Sequence, residues 1–224
     1  MERDFDRLAQ FDEVSWSGNK HYHKFLLRRL PAKCDEVLEI GCGTGAFSRQ
    51  LASRARRVTA IDLSSEMIRV AQSKAHQFPQ IEFEIADVMQ RELPPEAFDC
   101  IATIATLHHL PMRPALLKLR DSLRPGGALL VIDLFEPERN LWRLRGLTDA
   151  FLNVLAMGLS VTLRLIHNGR LRPSREVRRA WAEHEKTDRY LTMDEARSLY
   201  GSIFPGVMVR RHLLWRYSAI WVKR

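Results

Sequence analysis

The chain has 224 residues, a net charge of +8 and a composition close to the globular average. This length allows one well-buried α/β domain and is short for two separate cores, and the absence of low-complexity tracts and repeats argues against disorder. Residues 139–224 carry seventeen Lys and Arg against seven Asp and Glu, whereas residues 1–138 have an excess of two negative charges. A basic face can bind nucleic acid, anionic lipid or an acidic small substrate. A solvated arginine-rich surface without a partner explains the charge excess equally well.

The cysteines and the N-terminal residues predict a cytoplasmic protein without a metal site. Cys34, Cys42 and Cys100 fit neither an even disulfide framework nor the paired spacing of a zinc site, which favours a reducing compartment. The N-terminal run MERDFDRLAQFDE is charged where a secretion signal needs an apolar stretch. The His-x-His pair at positions 21 and 23 is not expected to bind metal, because alternate residues point to different sides of a helix.

The predicted elements begin with a basic helix at residues 20–30, which Pro31 ends. From Glu36 onward, short apolar runs alternate with segments of helical period, the pattern of repeated βα units and a parallel sheet. The predicted strands cover residues 37–40, 58–62, 81–85, 100–104 and 128–133. The predicted helices cover residues 47–54, 65–77 and 113–123. The run Pro125-Gly126-Gly127 predicts a turn before the fifth strand, because proline cannot extend the helix and glycine tolerates positive φ.

The pattern changes after Asp133, and residues 136–191 are predicted to form a helical insert. Its stretch 151–166 is almost wholly apolar, but a membrane span needs about 20 apolar residues and Arg164 interrupts it. We therefore expect no transmembrane segment. A buried helix or a cover over a pocket is the favoured interpretation, and a helix on a membrane surface is a weaker one. Apolar and polar residues alternate within residues 157–165, which leaves helix and strand both open there.

Two alternating runs near the end of the chain, residues 207–214 and 217–222, predict an antiparallel hairpin at one sheet edge. Together with the five earlier strands they give a Rossmann-like α/β fold, with a mostly parallel seven-stranded sheet and helices on both faces. Such a sheet places its loops at the carboxyl ends of the strands, where ligands bind.

The most informative stretch is an apolar strand that runs into three alternate glycines and then a helix, residues 37–47, VLEIGCGTGAF. Glycines at that junction allow a tight turn and let the backbone contact a bound ligand, which any Cβ would block. The glycine spacing differs from that of a dinucleotide-binding loop and is weak evidence alone. Asp62, at the end of the next predicted strand, strengthens it, since a carboxylate there can accept hydrogen bonds from both ribose hydroxyls.

These residues and four later segments make the sequence resemble the class I S-adenosylmethionine-dependent methyltransferases. VLEIGCGTGAF is similar to their first motif, and the next four follow in order over residues 36–135: VTAIDLSSEMI, IEFEIADV, FDCIATIATLHHL and LRPGGALLVIDL. The resemblance implies a single domain with an N-terminal helical lid (1–35), a cofactor-binding core (36–135), an insert covering the substrate (136–191) and a final helix and strands (192–224).

The resemblance implies S-adenosylmethionine as the cofactor and assigns roles to ten residues. Gly41, Gly43 and Gly45 would face its methionine part, and Glu39 would orient the loop or bind the amino group through water. Asp62 would hold the ribose, Leu63 and Met67 would pack on adenine, and Asp87 would accept from the adenine amine beside the backbone of Val88. Thr103 would lie near the methionine carboxylate.

Several of these residues have a structural alternative. Asp62 and Asp87 can each be helix N-caps, because aspartate is favoured where a strand leads into a helix. Met67 at helical spacing can be a core residue. Cys42 is most simply a small residue that fits the loop, since no neighbouring base is evident.

Methyl transfer from a sulfonium needs a positioned acceptor and a base only where the acceptor loses a proton. His108 and His109 follow the fourth predicted strand and are the candidate bases, although either can instead cap or pack the loop. Tyr22 in the lid and His184, Asp188 and Tyr190 in the insert are the candidate substrate contacts, and a solvated helix end is the alternative for the last three.

The expected activity is methyl transfer to a small or amphiphilic metabolite, because the apolar stretch 151–166 stands where a substrate cover would be. An RNA or protein methyltransferase using the basic C-terminal part is the alternative, although no nucleic-acid-binding module is recognisable and no nucleic acid partner is expected. A nicotinamide-dependent oxidoreductase is a further alternative that lacks the Tyr-x-x-x-Lys type of catalytic pair. A regulator that binds the cofactor without turnover, and contact with a membrane surface, also remain open. The sequence leaves the acceptor and the oligomeric state undetermined.

Overall fold

A computed structural model of the chain describes residues 19–137, 144–168 and 190–224. Seven strands in these residues form one sheet in the order β3-β2-β1-β4-β5-β7-β6. Their bounds are β1 Glu36–Ile40, β2 Arg57–Asp62, β3 Ile81–Ile85, β4 Phe98–Ile104, β5 Leu123–Leu134, β6 Met208–Arg211 and β7 Arg216–Val222. The first five strands run parallel, and β7 is antiparallel to both β5 and β6. The predicted Rossmann-like sheet and its C-terminal hairpin are confirmed.

The helices confirm the predicted alternation, with shorter ends. A 3-10 turn, Lys20–Tyr22, leads into α1, and another, Leu107–His109, follows β4. The α-helices are α1 His23–Leu27, α2 Ala46–Leu51, α3 Ser65–Ser73, α4 Met112–Ser122, α5 Leu144–Asn168 and α6 Met193–Ile203.

The sheet separates two apolar clusters of alternating strand residues. Leu38, Ile101 and Tyr217 belong to the cluster that includes side chains of α4 and α6. Val37 and Cys100 belong to the cluster that includes side chains of α1, α2 and α3. Because successive strand residues face opposite sides, β1 and β4 contribute to both clusters, which explains their nearly continuous apolar sequences.

The fifth strand begins earlier than predicted. Its register with β4 pairs Phe98 with Leu123 and then Cys100 with Ala128, so the strand is irregular where Pro125-Gly126-Gly127 lies. Gly126 has a φ of +80°, which glycine adopts without penalty. The three residues therefore form an irregularity within β5, and the predicted turn ahead of the strand is wrong.

Residues 157–165, which the sequence left open between helix and strand, are helical within α5. The buried-helix interpretation of the surrounding stretch is wrong, because large apolar side chains such as Val154 (65%) and Ile166 (70%) are exposed. Within residues 19–137, 144–168 and 190–224, no helix combines the length and apolar character needed to cross a bilayer.

The strand order reverses between β1 and β4, which lie side by side although β2 and β3 come between them in sequence. Loops leaving two such strands diverge to opposite faces and open a crevice at the carboxyl ends, where ligands of doubly wound sheets bind. The glycine loop after β1 and the 3-10 turn after β4 both begin at this point.

Candidate active site

The three glycines after β1 all adopt left-handed backbone conformations, with φ of +71° at Gly41, +52° at Gly43 and +72° at Gly45. Residues with a Cβ adopt this region at an energetic cost, which explains glycine at alternate positions. The amides of Gly41 and Cys42 both donate to the carbonyl of Ile61 in β2, at 2.9 and 3.1 Å. The loop therefore bends back over the end of β2 before α2 begins.

The space around each glycine differs. A Cβ at Gly41 would lie 2.0 Å from the Thr106 hydroxyl, and one at Gly45 would lie 3.0 Å from both Ala71 and Phe83. A Cβ at Gly43 would meet no atom of the described chain within 4 Å. Gly41 and Gly45 thus allow close packing within the protein, whereas Gly43 borders open space.

Asp62 ties the glycine loop to β2. One of its carboxylate oxygens accepts from the Gly43 amide at 2.8 Å, and the other accepts from the Ser64 amide at 3.0 Å. The N-cap of α3 is Ser64, whose hydroxyl accepts from the Met67 amide, so the interpretation of Asp62 as that cap is wrong. Each carboxylate oxygen has two lone pairs, which leaves acceptor capacity for ribose hydroxyls.

Glu39 is buried beneath the loop, where the Ser48 hydroxyl donates to its carboxylate at 2.5 Å. The pKa of Glu39 is raised to about 8, chiefly by burial; the Ser48 hydrogen bond acts to lower it and the nearby Asp62 to raise it. Glu39 is therefore mainly protonated at neutral pH, and the Asp62 carboxylate supplies the negative charge that suits a ligand bearing ammonium and sulfonium groups.

The four residues expected around adenine occupy the edge near β2 and β3. Leu63 is 36% exposed, whereas Met67 and Val88 are buried. The Asp87 carboxylate accepts from the Met89 amide at 2.8 Å and so closes a turn. No helix begins directly after this turn, since β4 is the next element. Asp87 is therefore not a helix N-cap.

Thr103 lies in β4 directly beside Ile40, the last residue of β1. Its hydroxyl is fully buried and has no hydrogen-bond partner in the described part of the chain. A buried hydroxyl without a partner is costly, so its position at the crevice suits a ligand that supplies one.

His108 and Asp133 form a buried pair at the carboxyl ends of β4 and β5. The His108 Nδ1 lies 2.5 Å from one carboxylate oxygen of Asp133, and the His108 amide donates to the other at 3.0 Å. The two side chains are only 6% and 1% exposed. Asp133 therefore holds both the ring and the backbone of His108, and the ring is shielded from water.

The neighbours of this pair include two predicted residues and one unpredicted residue. The Tyr190 ring lies 5.0 Å from that of His108, and the His109 ring lies 3.8 Å from it, measured between centroids. Arg216 in β7 is largely buried, which lowers its pKa, and interacts electrostatically with Asp133 and Tyr190. Its guanidinium donates to the Asn19 side chain and the Leu214 carbonyl, both at 3.0 Å.

Of the remaining substrate candidates, Tyr22 also interacts electrostatically with Arg216. Tyr22 is buried, its hydroxyl donates to the Leu213 carbonyl at 2.5 Å, and burial raises its pKa to about 12. Its hydroxyl thus anchors the turn between β6 and β7. His184 and Asp188 lie outside the described residues. Among the described residues, no group of three or more His, Cys, Asp or Glu side chains is arranged to hold a metal ion.

Sequence reasoning missed Asp133, Arg216, Ser48 and Thr106. Asp133 carried one usable signal, because it is a carboxylate at the carboxyl end of the apolar run ALLVID. The other three depend on which elements become neighbours, and no local pattern marks them.

The residues present fit S-adenosylmethionine on three counts. Open space borders Gly43. The buried Thr103 hydroxyl has no hydrogen-bond partner among the described residues. The Asp62 carboxylate complements the ligand's positive charges. When bound, the cofactor supplies a methyl group already activated by a sulfonium.

Comparison with known proteins agrees with this geometry. Residues 37–127 match a family described as a methyltransferase domain. An uncharacterized methyltransferase of Mycobacterium tuberculosis is 32% identical over 209 residues, covering 92% of this chain and 96% of that protein. Trans-aconitate 2-methyltransferase of Deinococcus radiodurans is 38% identical over 130 residues, covering 53% of this chain and 49% of that protein.

A solved structure supports the fold alone. It belongs to a complex of the Haloferax volcanii methyltransferase activator Trm112 with a methyltransferase, has a TM-score of 0.66 and 16% identity, and covers 97% of this chain and 96% of that chain. The long match to the mycobacterial protein shows the family and excludes the nicotinamide-dependent oxidoreductase. The chain belongs to the class I S-adenosylmethionine-dependent methyltransferases.

Proposed function

We propose that this methyltransferase acts on a small or amphiphilic metabolite and that His108, oriented by Asp133, removes the proton that the acceptor loses. The observation that carries the proposal is the buried His108–Asp133 pair beside the glycine loop. The match to an enzyme named for trans-aconitate supports a small acceptor.

The geometry supports His108 as the base in the following way. With Nδ1 against the Asp133 carboxylate, Nε2 is the nitrogen that takes the acceptor's proton, and the carboxylate stabilises the imidazolium that forms. Thr106 contacts the glycine loop two residues before His108, which brings the base close to the cofactor position. Asp133 makes His108 a stronger candidate than His109.

The cofactor roles implied by the resemblance form the second part of the proposal. Asp62 holds the ribose and Asp87 accepts from the adenine amine, while Leu63, Met67 and Val88 line the adenine. Glu39 binds the amino group, the loop glycines face the methionine part, and the Thr103 hydroxyl donates to its carboxylate. The positions of these side chains around one crevice support this assignment.

The substrate class is tested by following the methyl label. The protein is incubated with methyl-labelled S-adenosylmethionine and, separately, with the small-molecule and lipid fraction, the RNA and the protein of a bacterial extract. We expect label in the small-molecule and lipid fraction. Label confined to RNA or protein would contradict the proposed acceptor and favour use of the basic C-terminal part.

The base is tested with His108→Gln and Asp133→Asn, using the labelled fraction as acceptor. Loss of a general base lowers turnover by roughly 10²- to 10⁴-fold, and both variants are expected to fall toward that range while retaining affinity for S-adenosylhomocysteine. His76→Gln, at an exposed histidine, is the control and keeps full turnover. Unchanged turnover in His108→Gln would remove the catalytic role.

A further inference from the structure

Helix α5 exposes an unusually large apolar surface. Seven of its described apolar side chains are between 38% and 70% exposed: Val154, Leu155, Met157, Leu159, Val161, Leu165 and Ile166. The sequence contains no charged residue from position 150 to position 163. At 1.5 Å per residue, this apolar surface extends roughly 18 Å along the helix axis.

Among the described side chains of α5, a narrow stripe is buried against the protein. Ala156 and Ser160, one helical turn apart, are buried, and Leu152 precedes them by another turn. Leu152 and Ala156 line a cavity of about 410 Å³ together with residues 211–215 of the C-terminal hairpin. The exposed surface therefore covers most of the remaining circumference of the helix.

The polar group at Thr162 is satisfied within the helix. The Thr162 hydroxyl donates to the Gly158 carbonyl one turn earlier, at 3.0 Å. Such internal bonding lets a hydroxyl enter an apolar environment at little cost. The exposed surface of α5 is thus suited to transfer out of water.

Two basic side chains, Arg211 and His212, line the cavity beside α5. We define an arginine cluster as Arg211 together with Arg28, Arg29 and Arg210, whose charges act on one another or on His212. Desolvation and then the charges of Arg210 and Arg28 lower the pKa of Arg29, so these arginines lie close enough to repel one another. The charges that lower the pKa of His212, after burial, also come from basic groups: Arg29, Arg210 and His21.

We propose that α5 lies on an anionic bilayer surface, with its exposed apolar side chains among the acyl chains and the arginine cluster against the lipid headgroups. An apolar helix surface beside basic side chains is the combination that binds anionic membranes from one side. The excess of positive charge in residues 139–224 acts in the same direction. The proposal is independent of the acceptor's identity.

Sedimentation with vesicles tests the proposal on the full chain. We expect the protein to sediment with phosphatidylcholine vesicles containing roughly one-third phosphatidylglycerol and not with phosphatidylcholine alone, and added salt to weaken the binding. The triple variant Val154→Glu, Val161→Glu, Ile166→Glu is expected to lose roughly tenfold or more of the binding. Arg28→Gln with Arg210→Gln is expected to reduce binding to anionic vesicles in particular.

The control is Val222→Glu, which adds the same charge at a side chain that is 50% exposed at the far end of β7. It should bind vesicles normally, and all variants should retain S-adenosylhomocysteine affinity as evidence of folding. Equal binding to neutral vesicles, or no binding to either kind, would overturn the proposal. So would concentration-dependent dimerisation that the triple variant abolishes, since α5 would then pack against a second copy.

Discussion

The three glycines of the loop after β1 differ in what surrounds them. Gly41 leaves room for Thr106, and Gly45 leaves room for Ala71 and Phe83. Gly43 has the same left-handed conformation but open space beside it. A side chain at position 43 would therefore enter the proposed cofactor position without disturbing the protein's own packing.

Gly43→Ala is expected to separate these two effects. The left-handed backbone should cost about 1–2 kcal/mol of unfolding free energy. The added methyl should also weaken S-adenosylhomocysteine binding by roughly ten- to a hundredfold, measured by calorimetry. Gly126→Ala is the matched control, because Gly126 has a φ of +80° and equally open space at the other end of the sheet. Equal affinity in the two variants would place the cofactor away from Gly43.

At the residue scale, sequence reasoning succeeded where a pattern is local. The glycine spacing and Asp62 are marked by their positions at strand ends, and both lie at the predicted crevice. Asp133 was missed because its partner, His108, is 25 residues away and meets it only through the pairing of β4 with β5. Thr103 was named, but its buried hydroxyl is visible only in the fold.

At the element scale, the strands were predicted well because buried parallel strands have continuous apolar sequences. The exposure of α5 was not predictable, since a helix that is apolar on most sides is usually a buried one. The periodicity of a sequence indicates which faces of a helix are apolar, but it does not indicate which other elements cover those faces. The early start of β5 was missed because Pro125 and Gly126 ordinarily interrupt strands.

Helix α6 has a capping box that fixes its start. The Thr192 hydroxyl accepts from the Glu195 amide at 3.3 Å, and the Glu195 carboxylate accepts from the Thr192 amide at 2.8 Å. The preceding residue, Leu191, accepts from the Glu136 amide at 2.9 Å. The cap thus also anchors the segment that places Tyr190 beside His108.

Thr192→Ala is expected to lower the free energy of unfolding by about 1 kcal/mol, because it leaves a helix amide without its acceptor. Urea denaturation measures the loss. Thr162→Ala is the control, since its hydroxyl bonds within the interior of α5, where alanine is at least as favourable. Equal stability of Thr192→Ala and the unchanged protein would mean that the cap contributes nothing measurable.

At the scale of the whole molecule, two buried ionisable groups act oppositely on stability. Burial raises the pKa of Glu39 from 4.5 to about 8, so the folded state holds a proton that the unfolded chain releases as pH rises through this range. Burial and Lys20 lower the pKa of His23 from 6.5 to about 4. As pH falls from 6.5 to 4, the unfolded chain therefore binds a proton at His23 before the folded state does, and the folded state loses stability. Their effects oppose each other between pH 4.5 and 6.5.

Above pH 6.5 the effect of His23 is complete, and that of Glu39 continues. The cofactor-free protein is therefore expected to lose about 2 kcal/mol of unfolding free energy between pH 6.5 and pH 8, measured by urea denaturation. Glu39→Gln, which is neutral throughout, should be insensitive to pH over this interval. Glu82→Gln, at an exposed glutamate, should keep the decline. A decline of the same size in Glu39→Gln would show that another group causes it.

The contact between Gly41 and Thr106 joins the two halves of the crevice. Because a Cβ at position 41 would lie 2.0 Å from the Thr106 hydroxyl, the glycine loop and the loop that carries His108 are in direct contact. A side chain at position 41 would therefore collide with residue 106 unless residue 106 were smaller than threonine. Because the left-handed backbone also favours glycine at position 41, related sequences should retain glycine there whatever residue occupies position 106.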